Sequence, residues 1–145
     1  MYGVYQKTIA AAVSFSGIGL HSGKSAKINV FPGKADQGIT FIRTDLKENN
    51  LVKANYKNVS SAKLCTTLEN KYGVKVSTIE HLMGALFGLG IDNAIIEIDN
   101  EEVPILDGSA KEFIKKIILS GFDVSEVPIK IIKINKKIEF VDGER

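Results

Sequence analysis

The chain contains 145 residues, of which 44% are hydrophobic and 25% charged, a composition typical of one globular domain that folds without disulfides or a structural metal. Its formal net charge of +2 is too small to predict a nucleic-acid partner. The single cysteine, Cys65, excludes an internal disulfide, and no apolar run approaches the ~18 residues of a membrane span. With no signal-peptide pattern at the N-terminus, these features predict a cytoplasmic protein without a membrane span.

The first half of the chain predicts β-strands. Apolar or alternating runs at residues 8–15, 24–31 and 39–43 are separated by turn signals, and weaker candidates follow at residues 52–59 and 63–68. The connections between these runs are of hairpin length, which favours antiparallel pairing of neighbouring strands.

The second half predicts a helix followed by a buried strand. Residues 77–80, Ser-Thr-Ile-Glu, have the pattern of a capping box, so a helix is expected to begin there and to run to about residue 89. Gly90 then stands at the position that a C′ glycine takes after a helix. The apolar run at residues 94–98 predicts a short buried strand.

A second helix and a tail complete the predicted elements. Residues 109–112 form another capping-box pattern, and the helix is expected to end near Gly121. Its apolar face is predicted to carry Phe113, Ile114, Ile117 and Ile118. Residues 129–141 predict two strands around a turn, which indicates a first domain over residues 1–127 and the start of a second over 128–145.

The expected fold class is therefore α/β of the α+β type. Strands joined by short turns and followed by helices predict a two-layer sandwich, in which two helices pack against one mixed, mostly antiparallel sheet. A chain of this length buries enough surface, roughly 68–70%, to form its own hydrophobic core.

Glu80 and His81 are the first candidates for chemistry. A histidine can offer a neutral nitrogen to a metal ion, and an adjacent carboxylate can take a proton from a water there. The alternative is structural, because the fourth residue of a capping box is Glu or Gln for reasons of helix geometry. On spacing alone, the capping interpretation is favoured for Glu80.

Small residues accompany His81 along the helix. Gly84, Ala85 and Gly88 are predicted to share one side with it. Each glycine inside a helix costs about 1 kcal/mol relative to alanine, so two of them indicate that another element packs very close. The alternative is tight packing within this domain, with His81 as a hydrogen-bonded core histidine.

Residues 17–23, Gly-Ile-Gly-Leu-His-Ser-Gly, are a second candidate. They are not a dinucleotide fingerprint, because the third glycine comes one place late and a strand follows. They predict a strained loop whose backbone lies close to another group, with His21 at its tip either touching a ligand or exposed. Cys65 is interpreted by default as a structural strand cysteine.

The histidine count limits any metal site. The chain has two histidines and one cysteine, whereas a catalytic zinc ion needs about three protein ligands and an open position. Either His21, His81 and a carboxylate form a complete site within the chain, or His81 is one ligand and the others come from elsewhere.

Several motifs, taken together and in order, resemble the UDP-3-O-acyl-N-acetylglucosamine deacetylases. These zinc hydrolases remove acetate from an acylated UDP-sugar, which is the committed step of lipid A synthesis in Gram-negative bacteria. Each motif alone is weak, but in combination they span nearly the whole chain. The motifs are residues 17–23 (GIGLHSG), 43–45 (RTD), 64–66 (LCT), 78–82 (TIEHL), 88–93 (GLGIDN) and 104–110 (PILDGSA).

The resemblance implies a role for each matching residue. His81 matches the zinc ligand that the family's first domain contributes, and Glu80 matches the general base that activates the attacking water. The family has segments that lie near its active-site cleft, and the residues of this chain that match those segments are Leu20, His21, Leu64 and Cys65. Lys63 departs from the pattern, because an apolar residue is common at that position.

The resemblance also implies a partner for this domain. The family consists of two similar α/β domains with helices sandwiched between two sheets, and its remaining zinc ligands lie in the C-terminal domain. The Zn²⁺ site would be completed there, and the His81 side of the helix would meet that domain. We therefore expect the isolated chain to be inactive. The alternative is a non-catalytic fragment that binds a UDP-sugar or a partner protein.

Overall fold

The computed structural model describes residues 4–143. This part of the chain contains ten strands, two α-helices and one 3₁₀ turn at Tyr56–Asn58. The strands are β1 (Tyr5–Ile9), β2 (Val13–Ile18), β3 (Ser25–Pro32), β4 (Ile39–Arg43), β5 (Leu51–Lys53), β6 (Val59–Ser61), β7 (Thr67–Glu69), β8 (Lys75–Val76), β9 (Ala94–Ile98) and β10 (Phe122–Pro128), and the helices are α1 (Glu80–Gly88) and α2 (Lys111–Ser120).

A five-stranded sheet forms the centre of the domain, in the order β2-β3-β9-β4-β5. Only the β4–β9 pair is parallel, and the other three pairs in this sheet are antiparallel. The alternation in β3 shows why one face is the core face, because Ala26, Ile28 and Val30 are buried while Lys27 is exposed. The mixed, mostly antiparallel sheet is confirmed.

Both helices pack over the core face of this sheet and contact each other. Leu82 and Leu86 of α1 and Phe113 and Ile117 of α2 are almost fully buried against the strands. The ring of Phe113 lies 4.9 Å from that of Phe15 in β2, which joins α2 to the edge of the sheet. The predicted two-layer α+β fold is therefore confirmed, although Ile118, predicted to face the core, is 50% exposed.

The predicted strands are confirmed where a short apolar run is buried in the central sheet. Strands β4 and β9 have the predicted bounds, whereas the predicted strand at residues 8–15 divides at a bend into β1 and β2. Strand β1 leaves the central sheet and pairs with β10, which was not predicted. The Thr8 side chain holds β1 in this position, because its hydroxyl donates to the carbonyl of Asn93 and accepts from the N–H of Gly33.

The predicted strand pair at residues 129–141 is wrong. The described residues after β10, 129–143, contain no strand. These residues pair with no strand of the part described, and the large apolar side chains of this tail are exposed. Those exposed side chains are Ile131, Ile132, Ile134, Ile138, Phe140 and Val141.

The C-terminus of α1 has the predicted form. Gly90 has φ +69°, and its N–H donates to the carbonyl of Phe87 at 3.0 Å. The N–H of Ile91 donates to the carbonyl of Leu86 at 2.9 Å, which completes a Schellman motif. Ile91 and Leu86 are both buried, as the hydrophobic contact of that motif requires.

The two capping boxes are wrong, although both helices begin within the predicted segments. The N-cap of α1 is Ile79 and that of α2 is Ala110, and neither uses a side-chain cap. At α2, the Ser109 hydroxyl accepts from the Lys111 N–H in a local turn, while Glu112 forms an ion pair with Lys115. At α1, the Glu80 side chain of the predicted box accepts from the Thr66 N–H outside the helix.

The outer face of α1 is open. Apart from the adjacent residues and backbone of its own helix, an ideal Cβ at Gly84 or Gly88 would meet no atom of residues 4–143 within 4 Å, and the neighbouring Phe87 is 87% exposed. Ala85 instead points into the core and is fully buried, so its predicted place on the same side as the glycines is wrong. Packing within this domain does not account for Gly84 and Gly88. In residues 4–143, neither helix is long and apolar enough to cross a membrane.

Substitutions at two glycines of this helix region are expected to have opposite effects. Gly84→Ala should raise the free energy of unfolding by about 1 kcal/mol, because alanine is the better helix former and its Cβ meets open space. Gly90→Ala should lower it by about 1 kcal/mol, because φ is positive there. Urea unfolding followed by circular dichroism measures both, and a destabilised Gly84→Ala chain would show that this face is packed.

Candidate functional site

Glu80 and His81 are the first two residues of α1, and both are partly buried. Oε2 of Glu80 accepts a hydrogen bond from the backbone N–H of Thr66 at 3.1 Å. The carboxylate was predicted to cap its own helix, and this is wrong. It instead holds the loop before β7 against the start of α1. A carboxylate at this position is also favoured by the positive end of the helix dipole.

The loop that Glu80 holds contains two predicted cleft residues. Leu64 is 86% exposed and has φ +69°, an uncommon conformation for a leucine. Cys65 is partly buried, and its Sγ lies 3.8 Å from Oγ1 of Thr67. The predicted strand at residues 63–68 begins only at Thr67, so Cys65 lies in a loop beside the candidate site.

Glu102 is the residue that joins the second candidate loop to α1. It is only 3% exposed, and Oε1 accepts from the His21 N–H at 3.0 Å and from the Thr78 hydroxyl at 2.8 Å. Oε2 accepts from the Ser22 N–H at 2.7 Å. One buried carboxylate thus contacts both the 19–24 loop (residues 19–24) and the residue two positions before α1.

The close approach predicted from the glycine pattern is confirmed at Gly19. An ideal Cβ there would lie 2.4 Å from Oε2 of Glu102 and 2.4 Å from Oγ of Ser22. Leu20 and His21 follow at the tip of the turn, and both are exposed. The turn is closed by the Gly19 N–H, which donates to the carbonyl of Lys24 at 2.9 Å.

Hydrogen bonds keep the Glu102 carboxylate ionised. Burial by itself would raise the pKa of this carboxyl, but hydrogen bonds from the N–H groups of His21 and Ser22 and from the Thr78 hydroxyl lower it to about 2. At neutral pH the group is therefore an anion that both segments contact. Thr78 has φ +55°, a strained conformation for a β-branched residue, and the Glu102 bond helps to hold it there.

A second charged group supports the segment before α1. Arg43, at the end of β4, is 7% exposed and donates to both carboxylate oxygens of Asp45, at 2.8 and 2.7 Å. Its third bond goes to the carbonyl of Lys75 at 2.7 Å, two residues before Ser77. The Arg43 guanidinium lowers the pKa of the Asp45 carboxyl, so this pair stays charged.

The donor set for a metal is incomplete within this part of the chain. Residues 4–143 contain no group of three or more His, Cys, Asp or Glu side chains close enough to hold an ion. The self-contained site of His21, His81 and a carboxylate is therefore not assembled here. His81 can offer one nitrogen, and a catalytic zinc ion would need about two further protein ligands.

The structure brings the predicted candidates to one end of α1. The loop of Leu64 and Cys65 is held through Glu80, and the 19–24 loop is held through Glu102. Sequence reasoning missed Glu102, which lies 81 and 80 residues along the chain from its two backbone donors, His21 and Ser22. The available signal was a charged residue beside the apolar run Val103-Pro104-Ile105, together with a glycine pattern that required a close neighbour.

Glu102 is expected to make the stability of the chain depend on pH below about pH 5. Its pKa of about 2 in the folded chain lies under the ~4.3 of an unfolded glutamate, so the unfolded state binds the proton first. The stabilisation is complete above the unfolded pKa, amounts to about 3 kcal/mol, and is lost as pH falls toward 2.

Urea unfolding of the wild-type and Glu102→Gln chains at several pH values between 7 and 3 measures this contribution. The variant should be less stable at neutral pH and should lose less stability on acidification. An identical pH dependence in the two chains would contradict the assignment of this contribution to Glu102.

Comparison with known proteins shows a match along almost the whole chain. The family model described as UDP-3-O-acyl N-acetylglycosamine deacetylase matches residues 6–145. The UDP-3-O-acyl-N-acetylglucosamine deacetylase of Actinobacillus succinogenes is 42% identical over 98% of this chain and 47% of its own length. That of Shewanella baltica is 39% identical over 98% of this chain and 46% of its own. The chain thus spans about half the length of these curated relatives, and it belongs to the UDP-3-O-acyl N-acetylglycosamine deacetylase family.

Proposed function

We propose that this chain is the N-terminal domain of a zinc-dependent deacetylase that acts on UDP-3-O-acyl-N-acetylglucosamine. The observation that carries the proposal is the attachment of two loops to the start of α1, one through Glu80 and the other through Glu102 and Thr78. The relatives named for this substrate align with 98% of the chain. The predicted cytoplasmic location stays a prediction.

Glu80 is the proposed general base. Its Oε2 is held by the Thr66 N–H, which orients the carboxylate, while Oε1 makes no hydrogen bond within residues 4–143. A carboxylate oriented in this way can take the proton of the attacking water as that water adds to the acetyl carbonyl. The single bond from Thr66 keeps the group in place without occupying both oxygens.

His81 is the proposed contribution of this chain to the metal site. It follows Glu80 on the first turn of α1, and it is partly rather than fully buried. Zinc would supply Lewis acidity that polarises the acetyl carbonyl when it is bound. Because residues 4–143 offer no complete donor set, the remaining ligands are proposed to come from a C-terminal domain.

The outer face of α1 is the proposed contact with that domain. Gly84 and Gly88 leave open space beside an exposed Phe87, so another element can approach the helix closely there. The proposed division places the N-terminal domain at residues 1–127 and the beginning of the next at 128–145. The exposed apolar side chains of the tail are then covered by the domain they begin.

The predicted cleft residues have proposed roles at the substrate. Leu20 and His21 lie at the tip of the 19–24 loop, and Leu64 and Cys65 lie in the loop that Glu80 holds. Exposed apolar side chains such as Leu20 and Leu64, 60% and 86% exposed, suit contact with an acyl chain.

A second candidate function is a non-catalytic fragment that binds a UDP-sugar or a partner protein. The incomplete donor set in residues 4–143 favours it for the isolated chain. Binding of a UDP-sugar by this chain without acetate release would support this alternative.

The substitution Glu80→Gln tests the proposed base in the complete deacetylase that contains this chain. An amide oxygen can still accept from the Thr66 N–H, but it cannot take a proton from water. Turnover should fall by about 10²–10⁴-fold, the usual contribution of a general base, while the free energy of unfolding should change by less than about 0.5 kcal/mol. Acetate release and urea unfolding measure the two effects.

Glu112→Gln is a matched control for that experiment, because Glu112 forms only an exposed ion pair with Lys115 on α2. It should retain full turnover. Wild-type turnover in Glu80→Gln would contradict the proposed base, and a loss of stability alone would assign Glu80 a structural role instead.

The isolated 145-residue chain should release no acetate and should retain little zinc after dialysis. One histidine nitrogen without further ligands does not hold the ion. Metal content of the wild-type and His81→Ala chains, measured by elemental analysis, checks this expectation. About one zinc ion per wild-type chain, lost in the variant, would mean that the other ligands lie within this chain or a second copy.

A further inference from the structure

We infer that Glu102 is a positioning residue for the deacetylation reaction, one that holds the 19–24 loop against the segment that leads into Glu80 and His81. This inference rests on the proposed function and deepens it. Glu102 is not a catalytic residue, since it is buried and its contacts are with the protein itself. Its effect on substrate is exerted through the loop that it holds.

The hydrogen bonds of Glu102 suit a carboxylate and no other side chain. Its two oxygens accept from three donors, the N–H groups of His21 and Ser22 and the hydroxyl of Thr78. A glutamine would keep one acceptor but would turn an NH₂ group toward another donor. Charge-assisted hydrogen bonds of this kind are stronger than neutral ones, so the anion holds the loop firmly.

The backbone around Glu102 is fixed to the segment that leads into α1. Ser77 forms a parallel bridge with Glu102, and the Ser77 N–H donates to the carbonyl of Glu101 at 2.9 Å. The Val103 N–H donates to the carbonyl of Ser77 at 3.1 Å. The Glu102 side chain therefore extends from a backbone that cannot shift without moving the start of α1.

The 19–24 loop is closed by its own hydrogen bonds and so moves as a unit. The Gly19 N–H donates to the carbonyl of Lys24, and the Gly23 N–H donates to the carbonyl of Gly19. Because Glu102 holds the middle of this unit, loss of its carboxylate displaces the exposed tip with Leu20 and His21. The proton acceptor is held separately, by Thr66, and stays in place.

This separation predicts which kinetic constant changes. If the loop contributes contacts to bound substrate while Glu80 remains oriented, removal of the Glu102 charge weakens substrate binding more than it slows the chemical step. A role limited to overall stability would instead lower the folded fraction, and it would leave KM unchanged.

The kinetic test compares Glu102→Gln with Glu101→Gln in the complete deacetylase. Glu101 is the matched control, because its side chain is 55% exposed and lies 4.0 Å from Arg43. We expect Glu102→Gln to raise KM at least tenfold and to change kcat less than threefold, with zinc content unchanged. Glu101→Gln should keep both constants within twofold. A folded Glu102→Gln enzyme with the wild-type KM overturns the inference.

A second measurement uses only the wild-type chain, so it does not depend on whether a variant folds. In the wild-type 145-residue chain, the amides of His21 and Ser22 lie in an exposed turn and donate to Glu102. Their hydrogen exchange at neutral pH should be slowed at least about 100-fold relative to an unstructured peptide. Unprotected amides at both positions would show that Glu102 does not hold the loop, and they would overturn the inference.

The two proposals fail in different ways. A complete wild-type enzyme that releases no acetate overturns the proposed function, and this inference with it. An active enzyme that loses turnover in Glu80→Gln but keeps its KM in Glu102→Gln overturns this inference alone.

Discussion

A single buried carboxylate, that of Glu102, determines how the candidate site is assembled. A buried charge is costly unless hydrogen bonds replace its water, and here the replacements come from His21, Ser22 and Thr78. The fold can bury this anion only if the 19–24 loop and the approach to α1 meet at it. Two local features follow from this contact. Thr78 adopts a strained backbone conformation, and position 19 leaves no space for a side chain larger than that of glycine.

The position of α1 depends on tertiary packing. A helix of nine residues is not stable by itself in water, so its buried face, with Leu82, Ala85 and Leu86, holds it against the sheet. The opposite face, with Gly84 and Phe87, is left open by residues 4–143. Helices of single globular domains commonly present polar residues on the outer face, so this one is better suited to a second layer of protein.

How far the fold could be predicted depended on the range of the interactions involved. Strands β4 and β9 were found with correct bounds because each is a short apolar run buried in the central sheet. The pairing of β1 with β10 joins segments that are far apart in the sequence, which local patterns do not report. Glu80 and His81 were recognisable from sequence motifs, but the contacts of Glu102 with His21 and Ser22 span about 80 residues and left only an indirect trace at Gly19.

The failure of the capping box at α1 bears directly on the chemistry. A glutamate in that motif would be bound to its own helix N-terminus, and it would have to leave the cap in order to accept a proton. A competing partner removes this conflict, because the Glu80 carboxylate accepts from the Thr66 N–H instead of from its own helix. Helix initiation and the proposed proton acceptance therefore do not compete for the same carboxylate. The same departure from local preference that defeated the sequence prediction leaves Glu80 available for its proposed role as a base.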